Sequence, residues 1–394
     1  MLDPATLRPH YSAFLGSDRG ARVLLTGHSH QAWPDVAREG ALEAFDDAAK
    51  LVDDKWGPAF ERAATIRGYV AKQLVGATAE EIALGQNTHE LVTRFLSALD
   101  LEARPRLVTT SGEFHSMHRQ LARLAEAGVE VVRIATSPLE SLSERLTAAL
   151  DERTAGVLVS SVLFETSSRV SNLGELGAAA RRLGVEVLVD AYHGFGVMPL
   201  SLSELGGAHV FVTAGGYKYA QWGEGCCFLR VPKECVLRPV FTGWFSDFAN
   251  LDKGRDAARI GYGETPADRF AGSTYDPVSH YRAARVIRFF EQQGLGVERL
   301  RELSLHKTNV LMNGLREAGF GAALLTPAEA EGRGGFVALR TPHAGTATRA
   351  LRERGVFVDS RGDVLRFGPA PYLLDAELER GIREYTSLAR DLPR

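Results

Sequence analysis

The chain has 394 residues, 45% of them apolar and 24% charged, with a formal net charge of −3. This length suits a soluble globular protein with a large core divided between two closely packed lobes. Its interspersed charges form no sustained basic block that would track nucleic acid. No apolar run approaches the roughly 20 residues of a membrane-spanning helix, and MLDPATLRPHYSAFLGSDRG has no apolar stretch behind basic residues. A cytoplasmic location with neither membrane nor nucleic-acid partner is therefore expected.

In chain order, a long helix is expected over residues 35–56. A capping box at Thr78 and Glu81 predicts a helix start before EEIAL. From Ile82 onward β-rich runs alternate with helical patterns: RLVTT at 106–110, VEVVRI at 129–134, GVLVSSV at 156–162, VEVLVD at 185–190 and HVFVT at 209–213. That alternation predicts an α/β fold, a mainly parallel sheet with helices on both faces. SPLE at 137–140 places Pro138 in the first turn of one of these helices, and GCCFLRV reads as an apolar strand. Beyond a Gly-rich stretch at 254–274, helices are expected near 277–293 and 297–318. Strand-like FVALR, VFVDS and VLRFG follow, with helices around 346–354 and from Asp375. The division read from this pattern is an N-terminal arm and helix (1–65), a large lobe (66–270) and a smaller C-terminal α/β lobe (271–394).

Open parallel sheets bind ligands at the carboxyl ends of their strands, and two polar residues stand directly after apolar runs. Asp190 ends VEVLVD, and Lys218 follows HVFVT across a glycine turn in TAGGYKYAQWGEG. A cofactor with a pyridine nitrogen needs that nitrogen protonated to accept electrons from a carbanion, and a carboxylate such as Asp190 favours the protonated form. The aldehyde of such a cofactor, pyridoxal 5′-phosphate (PLP), needs an amine such as Lys218 to form a Schiff base. Taken singly, Asp190 could be a helix cap and Lys218 a solvated loop lysine; together they point to PLP. No GxGxxG follows the first strand and no GxxxxGK[ST] occurs, which argues against the alternative of a non-catalytic protein that binds a nucleotide or other small molecule.

DAYHGFG at 190–196, followed by Tyr217-Lys218-Tyr219 and a Gly-containing turn, resembles the class V aminotransferase group of fold-type I PLP enzymes, above all its kynureninase branch. The resemblance runs through most of the chain in the same order. It implies that Asp190 pairs with the pyridinium nitrogen, His193 lies near the phenolic oxygen, Lys218 carries the cofactor and Tyr217 bonds its phosphate. GQNTHELV at 85–92 is similar to the family's phosphate turn, with Asn87 and Thr88 as ligands at a helix N-terminus. Phe114 in TTSGEFHSMH stands where relatives stack a ring on the pyridine, and kynureninases resemble this chain in using Phe there. His115 and His118 lack the carboxylate or cysteine support a metal would need, so no metal is expected. FTGWFSDF at 241–248 resembles a segment whose Trp, here Trp244, reaches the phosphate across a dimer interface. Asp247 stands where that family often has a substrate-contacting His. RFAGSTYDP at 269–277 resembles the glycine-hydroxyl turn, with Thr274, and Ser273 second, donated to the neighbouring subunit's phosphate. VLRFGPAPYLL at 364–374 makes Arg366 the clamp for the substrate α-carboxylate, a task for a planar, permanently charged fork.

The resemblance implies a homodimeric PLP enzyme acting on an amino acid, with hydrolytic Cβ–Cγ cleavage of a kynurenine-like substrate as the first expectation. Aminotransferase, C–S lyase and epimerase reactions remain alternatives, because they share α-proton removal by the lysine. A desulfurase is disfavoured: Cys226 and Cys227 lie in an apolar run soon after Lys218, and no cysteine follows Cys235.

Overall fold

A computed structural model describes residues 4–16, 22–251 and 259–391. Part of the Gly-rich stretch expected at 254–274, residues 254–258, lies outside the described residues.

Seven strands form the central sheet: β1 (Ile82–Gly85), β2 (Arg106–Thr110), β3 (Glu130–Ile134), β4 (Thr154–Ser160), β5 (Glu186–Asp190), β6 (Phe211–Gly215) and β7 (Cys227–Arg230). They lie in the order β1-β7-β6-β5-β4-β2-β3. β2 is parallel to β3 and β4, β4 to β5, and β5 to β6, whereas β7 runs antiparallel to both β1 and β6. β4 is buried along its whole length, as a central strand of an α/β sheet must be. Edge strand β3 exposes Glu130 and Arg133, charges that discourage pairing with a further strand.

Helices α1 (Val36–Leu51), α2 (Trp56–Gln73), α3 (Thr88–Ala98), α4 (His115–Glu126), α5 (Leu142–Ala148) and α6 (Leu173–Arg182) accompany this sheet. The expected helix at 35–56 is thus α1 alone, ended by Val52 at a positive φ of 53°, and a second helix follows. The capping box at Thr78 forms, but it closes a three-residue 3₁₀ turn rather than a helix. Glu81 is drawn into a buried ion pair with Arg230 of β7, and the chain continues as β1. Pro138 does not open a helix either. Arg145 donates to the carbonyls of Ala135 and Pro138, holding 135–138 as a turn, and α5 starts only at Leu142. β4 and β6 each lie two residues from their expected positions.

The C-terminal part contains α7 (Val278–Gln292), α8 (Val297–Leu315), a three-stranded antiparallel sheet of β8 (Val337–Arg340), β9 (Asp359–Arg361) and β10 (Val364–Phe367), and helices α9 (Ala344–Glu353) and α10 (Asp375–Asp391). VFVDS divides between two sheets: Val356–Phe357 pairs with Val23–Leu24 of the arm, while Asp359 enters β9. That pairing docks the N-terminal arm on the C-terminal part.

Candidate active site

The carboxyl ends of β2, β4, β5 and β6 bring Glu113, Ser160, Asp190 and Lys218 to one edge of the sheet, as the strand order requires. The turn from β6 to Lys218 can only be made with glycine. A Cβ on Gly215 would lie 2.3 Å from Cys227 Sγ, and one on Gly216 would lie 2.1 Å from the Trp222 ring.

Lys218 is buried, and its Nζ donates to His193 Nε2 at 2.9 Å. Nζ also stands 4.6 Å from the Tyr192 ring centre, 5.1 Å from Phe114 and 5.6 Å from Tyr217. Burial, opposed by Asp190 and reinforced by Arg366, lowers the Lys218 pKa to about 7. Burial, then Lys218 and Arg366, hold His193 well below its ordinary value, so its neutral ring accepts the lysine proton. Asp190 is pushed up by burial, against the Tyr192 N–H, which donates to Oδ1 at 2.8 Å, and against Lys218. Among the described residues no cation pairs with Asp190 at salt-bridge distance. A buried carboxylate left this way suits a cationic ring nitrogen.

A cavity of about 230 Å³ opens over these groups, lined by Asn87, Thr88, Phe114, Asp190, His193, Tyr217 and Lys218 among others. Asn87 caps α3, its Oδ1 accepting from Glu90 N at 2.9 Å. The N–H groups of this helix start point to an anion site where the phosphate was expected. An aromatic wall, a buried amine, a buried carboxylate and a helix N-terminus therefore fit PLP in size and charge. Sequence reasoning missed Tyr192, and also Glu113, whose carboxyl binds Thr110 Oγ1 at 2.6 Å and Ser160 Oγ at 2.6 Å. Glu113 ties the end of β2 to that of β4 directly beside Phe114. Burial raises its pKa to about 7, with the Ser160 and Thr110 bonds opposing.

The structure does not bring all the expected residues into this cavity. Ser273 and Thr274 are exposed and line a second cavity of about 290 Å³ with Gln86, Arg94 and Tyr275. Trp244 is 44% exposed and packs on Phe245 and Phe248 at ring distances of 4.5 and 5.3 Å. Asp247 accepts from Asn250 Nδ2 at 2.7 Å. His115 and His118 are exposed, and no group of three metal-ligating side chains occurs among the described residues.

Arg366 departs furthest from its expected setting. It is fully buried, and it faces Asp359 directly across β9 and β10. Nε and Nη2 bind Asp359 Oδ1 and Oδ2 at 2.9 and 2.5 Å, and Nη1 donates to Phe164 O at 2.5 Å. His28 of the arm, stacked on Phe336, donates from Nε2 to Asp359 Oδ1 at 2.8 Å. Burial lowers the His28 pKa to about 4, and its Nδ1 has no partner. Burial would raise Asp359, but His28 and Arg366 together hold it far below the carboxylate range. Three of the five guanidinium N–H groups are thus engaged, leaving one on each terminal nitrogen. Sequence reasoning missed Asp359 and His28; the only signal was Asp359 interrupting VFVDS.

A family model described as "Kynureninase C-terminal domain" matches residues 300–384. The kynureninase of Geobacillus thermodenitrificans is 28% identical over 77% of this chain and 72% of its own length. The isopenicillin N epimerase of Streptomyces clavuligerus is 29% identical over 78% and 80%, and the uncharacterized aminotransferase YcbU of Bacillus subtilis is 24% identical over 87% and 88%. Among solved structures, the apo cysteine desulfurase of Thermococcus onnurineus superposes with a TM-score of 0.80 at 20% identity, over 100% of this chain and 99% of that one.

Fold and site together define a PLP-dependent enzyme of fold type I. Within that class, the chain is similar to kynureninases over most of its length and to an aminotransferase and an epimerase as well. Among the described residues no helix is long and apolar enough to cross a membrane.

Proposed function

We propose that the chain cleaves hydrolytically the Cβ–Cγ bond of a kynurenine-like amino acid, and that Arg366 takes the substrate carboxylate. The observation that carries this reading is the kynureninase match over 300–384, which contains both Arg366 and its partner Asp359. When bound, PLP supplies an electron sink for a carbanion at the substrate α-carbon. Lys218, with a pKa near 7, can exist as a free amine at neutral pH and take the α-proton. His193, kept neutral, orients Nζ, and Asp190 would supply the negative charge that a protonated ring nitrogen needs. The two unengaged N–H groups of Arg366 are the donors left for a carboxylate. Phe114, Tyr192 and Tyr217 form walls suited to an aromatic side chain.

The thiols favour this reading over sulfur transfer. Cys226 and Cys227 are buried, and burial raises Cys227 and half-buried Cys235 to about 11, so no described cysteine is an accessible thiolate. We also assign a homodimer. Val240, Phe241, Trp244, Phe248 and Leu251 stand exposed in one segment, an apolar surface that calls for a partner. A second copy would bring Trp244 and Thr274 to the neighbouring phosphate cup. The expected arm, large lobe and small lobe are retained as the domain reading.

Incubation of the holoenzyme with kynurenine or 3-hydroxykynurenine tests the reaction, the expected products being the corresponding anthranilate and alanine. Absence of anthranilate, with amino-group exchange between an amino acid and a keto acid, would replace it with an aminotransferase. Racemised substrate would indicate the epimerase, and sulfide released from added cysteine the C–S lyase.

A further inference from the structure

Lys307 projects from the middle of α8 into the protein interior, where it is 1% exposed. Its Nζ donates to Leu373 O, and among the described residues no ion pair forms with it. The nearest carboxylates are committed elsewhere, Asp375 to His306 at 2.8 Å and Glu377 to Arg8 at 2.7 Å. Beside Lys307 lies a small cavity of about 20 Å³, whose walls include Gln31, Tyr219, Ser304, Pro369 and Pro371 and no acidic side chain. The cavity sits where the N-terminal arm, the segment after Lys218 and helix α8 meet.

The polar side chains on its walls can all donate, Gln31 and Lys307 through N–H groups and Ser304 and Tyr219 through hydroxyls that can also accept. Gln31 uses its Oε1 for the Tyr372 hydroxyl at 3.3 Å, so what remains is its amide NH₂, which has no partner. Ser304 Oγ is likewise buried without a hydrogen bond. Lys307 has two further N–H groups beyond the one given to Leu373. Buried charges are ordinarily paired, and buried polar groups satisfied. About 10–15 Å³ is enough for one water-sized occupant, so this cavity holds one atom-sized species and no more. A water could bond to these groups, the Ser304 and Tyr219 hydroxyls accepting, but it would leave the buried ammonium without a counter-charge. A monoatomic anion accepts from all of them and supplies the missing negative charge.

We propose that this cavity is a halide site, occupied by chloride, which joins the arm, the Lys218–Tyr219 segment and α8. Burial lowers Lys307 to a pKa of about 8, against the pull of Asp375 and Glu377, so without an anion the amine is still largely protonated at pH 7. Ligation by the native state alone stabilises it in proportion to halide concentration over Kd. The inference does not depend on which reaction the enzyme performs.

The test uses the holoenzyme in sodium gluconate, chloride or bromide at constant ionic strength. The expected results are an anomalous bromide peak in crystals beside Lys307 Nζ and a melting temperature that rises by several degrees with chloride and saturates. Lys307→Met should lose this chloride-specific rise, and Ser304→Ala should shift its midpoint several-fold upward. If Lys307→Met does not fold, the wild-type bromide peak and the Ser304→Ala midpoint decide the matter. A cavity filled by water with no bromide peak overturns the proposal. So does a chloride response that is the same in wild type and Lys307→Met.

Discussion

Asp359→Asn is the most informative substitution, because it keeps the shape of the side chain and removes only its charge. In the wild type Asp359 takes two hydrogen bonds from Arg366 and one from His28, and its side chain is 14% exposed while that of Arg366 is 1% exposed. Breaking a buried pair by neutralising one partner costs about 3–5 kcal/mol, chiefly because the other charge is left uncompensated. Asn keeps one acceptor oxygen and the site is slightly open, so the lower end, about 3 kcal/mol, is expected in urea unfolding of the holoenzyme. Arg366 would also lose its two-point orientation. Ligand affinity, followed through the cofactor absorbance with a non-reactive amino-acid analogue, should fall at least tenfold, about 1.4 kcal/mol. The effect should fall on KM more than on kcat, since the interaction is made in ground and transition states alike. An analogue lacking the carboxylate should bind both proteins equally. Stability within about 0.5 kcal/mol of wild type, together with unchanged affinity for the carboxylate ligand, would refute the pairing argument.

Lys218→Ala should abolish the visible absorbance that borohydride bleaches in the wild type and lower kcat by at least about 10³, measured on protein reconstituted with PLP. Glu113 carries a pH signature. The unfolded carboxyl releases its proton near pH 4.3, whereas the folded one holds it to about pH 7. Its stabilising contribution is therefore complete below about 4.3 and is lost as pH rises through 7. Glu113→Gln, which imitates the protonated acid, should flatten the stability profile across that window, read by urea unfolding at a series of pH values. Trp244→Ala should shift sedimentation toward monomer and raise the concentration of PLP needed for half-reconstitution by about tenfold, the result expected if the ring serves the neighbouring subunit.

Lys218 and Asp190 were legible because each is a charged residue ending an apolar run, and a parallel sheet sends every such ending to the same edge. Helix α2 was not legible: WGPAFERAATIRGYVAKQ carries Gly57, Pro58 and Gly68, all ordinary breakers. Pro58 is nevertheless the third residue of the helix, where the missing N–H would have had no intrahelical partner. The faces of Gly57 and Gly68 open on no neighbouring atom, so they cost only propensity. The carboxylate opposite Arg366 was hidden for a different reason. Asp359 and Arg366 are seven residues apart and meet only through the register of β9 with β10, which is set by the turn around Gly362. His28 arrives from 331 residues away along the chain.

These differences bear on how a substrate is held for α-proton removal. The groups that the sequence displays, Lys218 and Asp190, are the amine and the carboxylate that suit the cofactor and a carbanion at the substrate α-carbon. The groups it conceals, Asp359 and His28, hold Arg366, which is proposed to take the substrate carboxylate. The hold on that carboxylate sets how the Cα–H bond stands to Lys218, a step that cleavage and amino-group exchange share. Substitutions at Asp359 should therefore lower both reactions together, as those at Lys218 and Asp190 should. Product partitioning in Asp359→Asn, measured as anthranilate against keto acid, should keep the wild-type ratio; a changed ratio would refute this and place control of reaction type at Arg366.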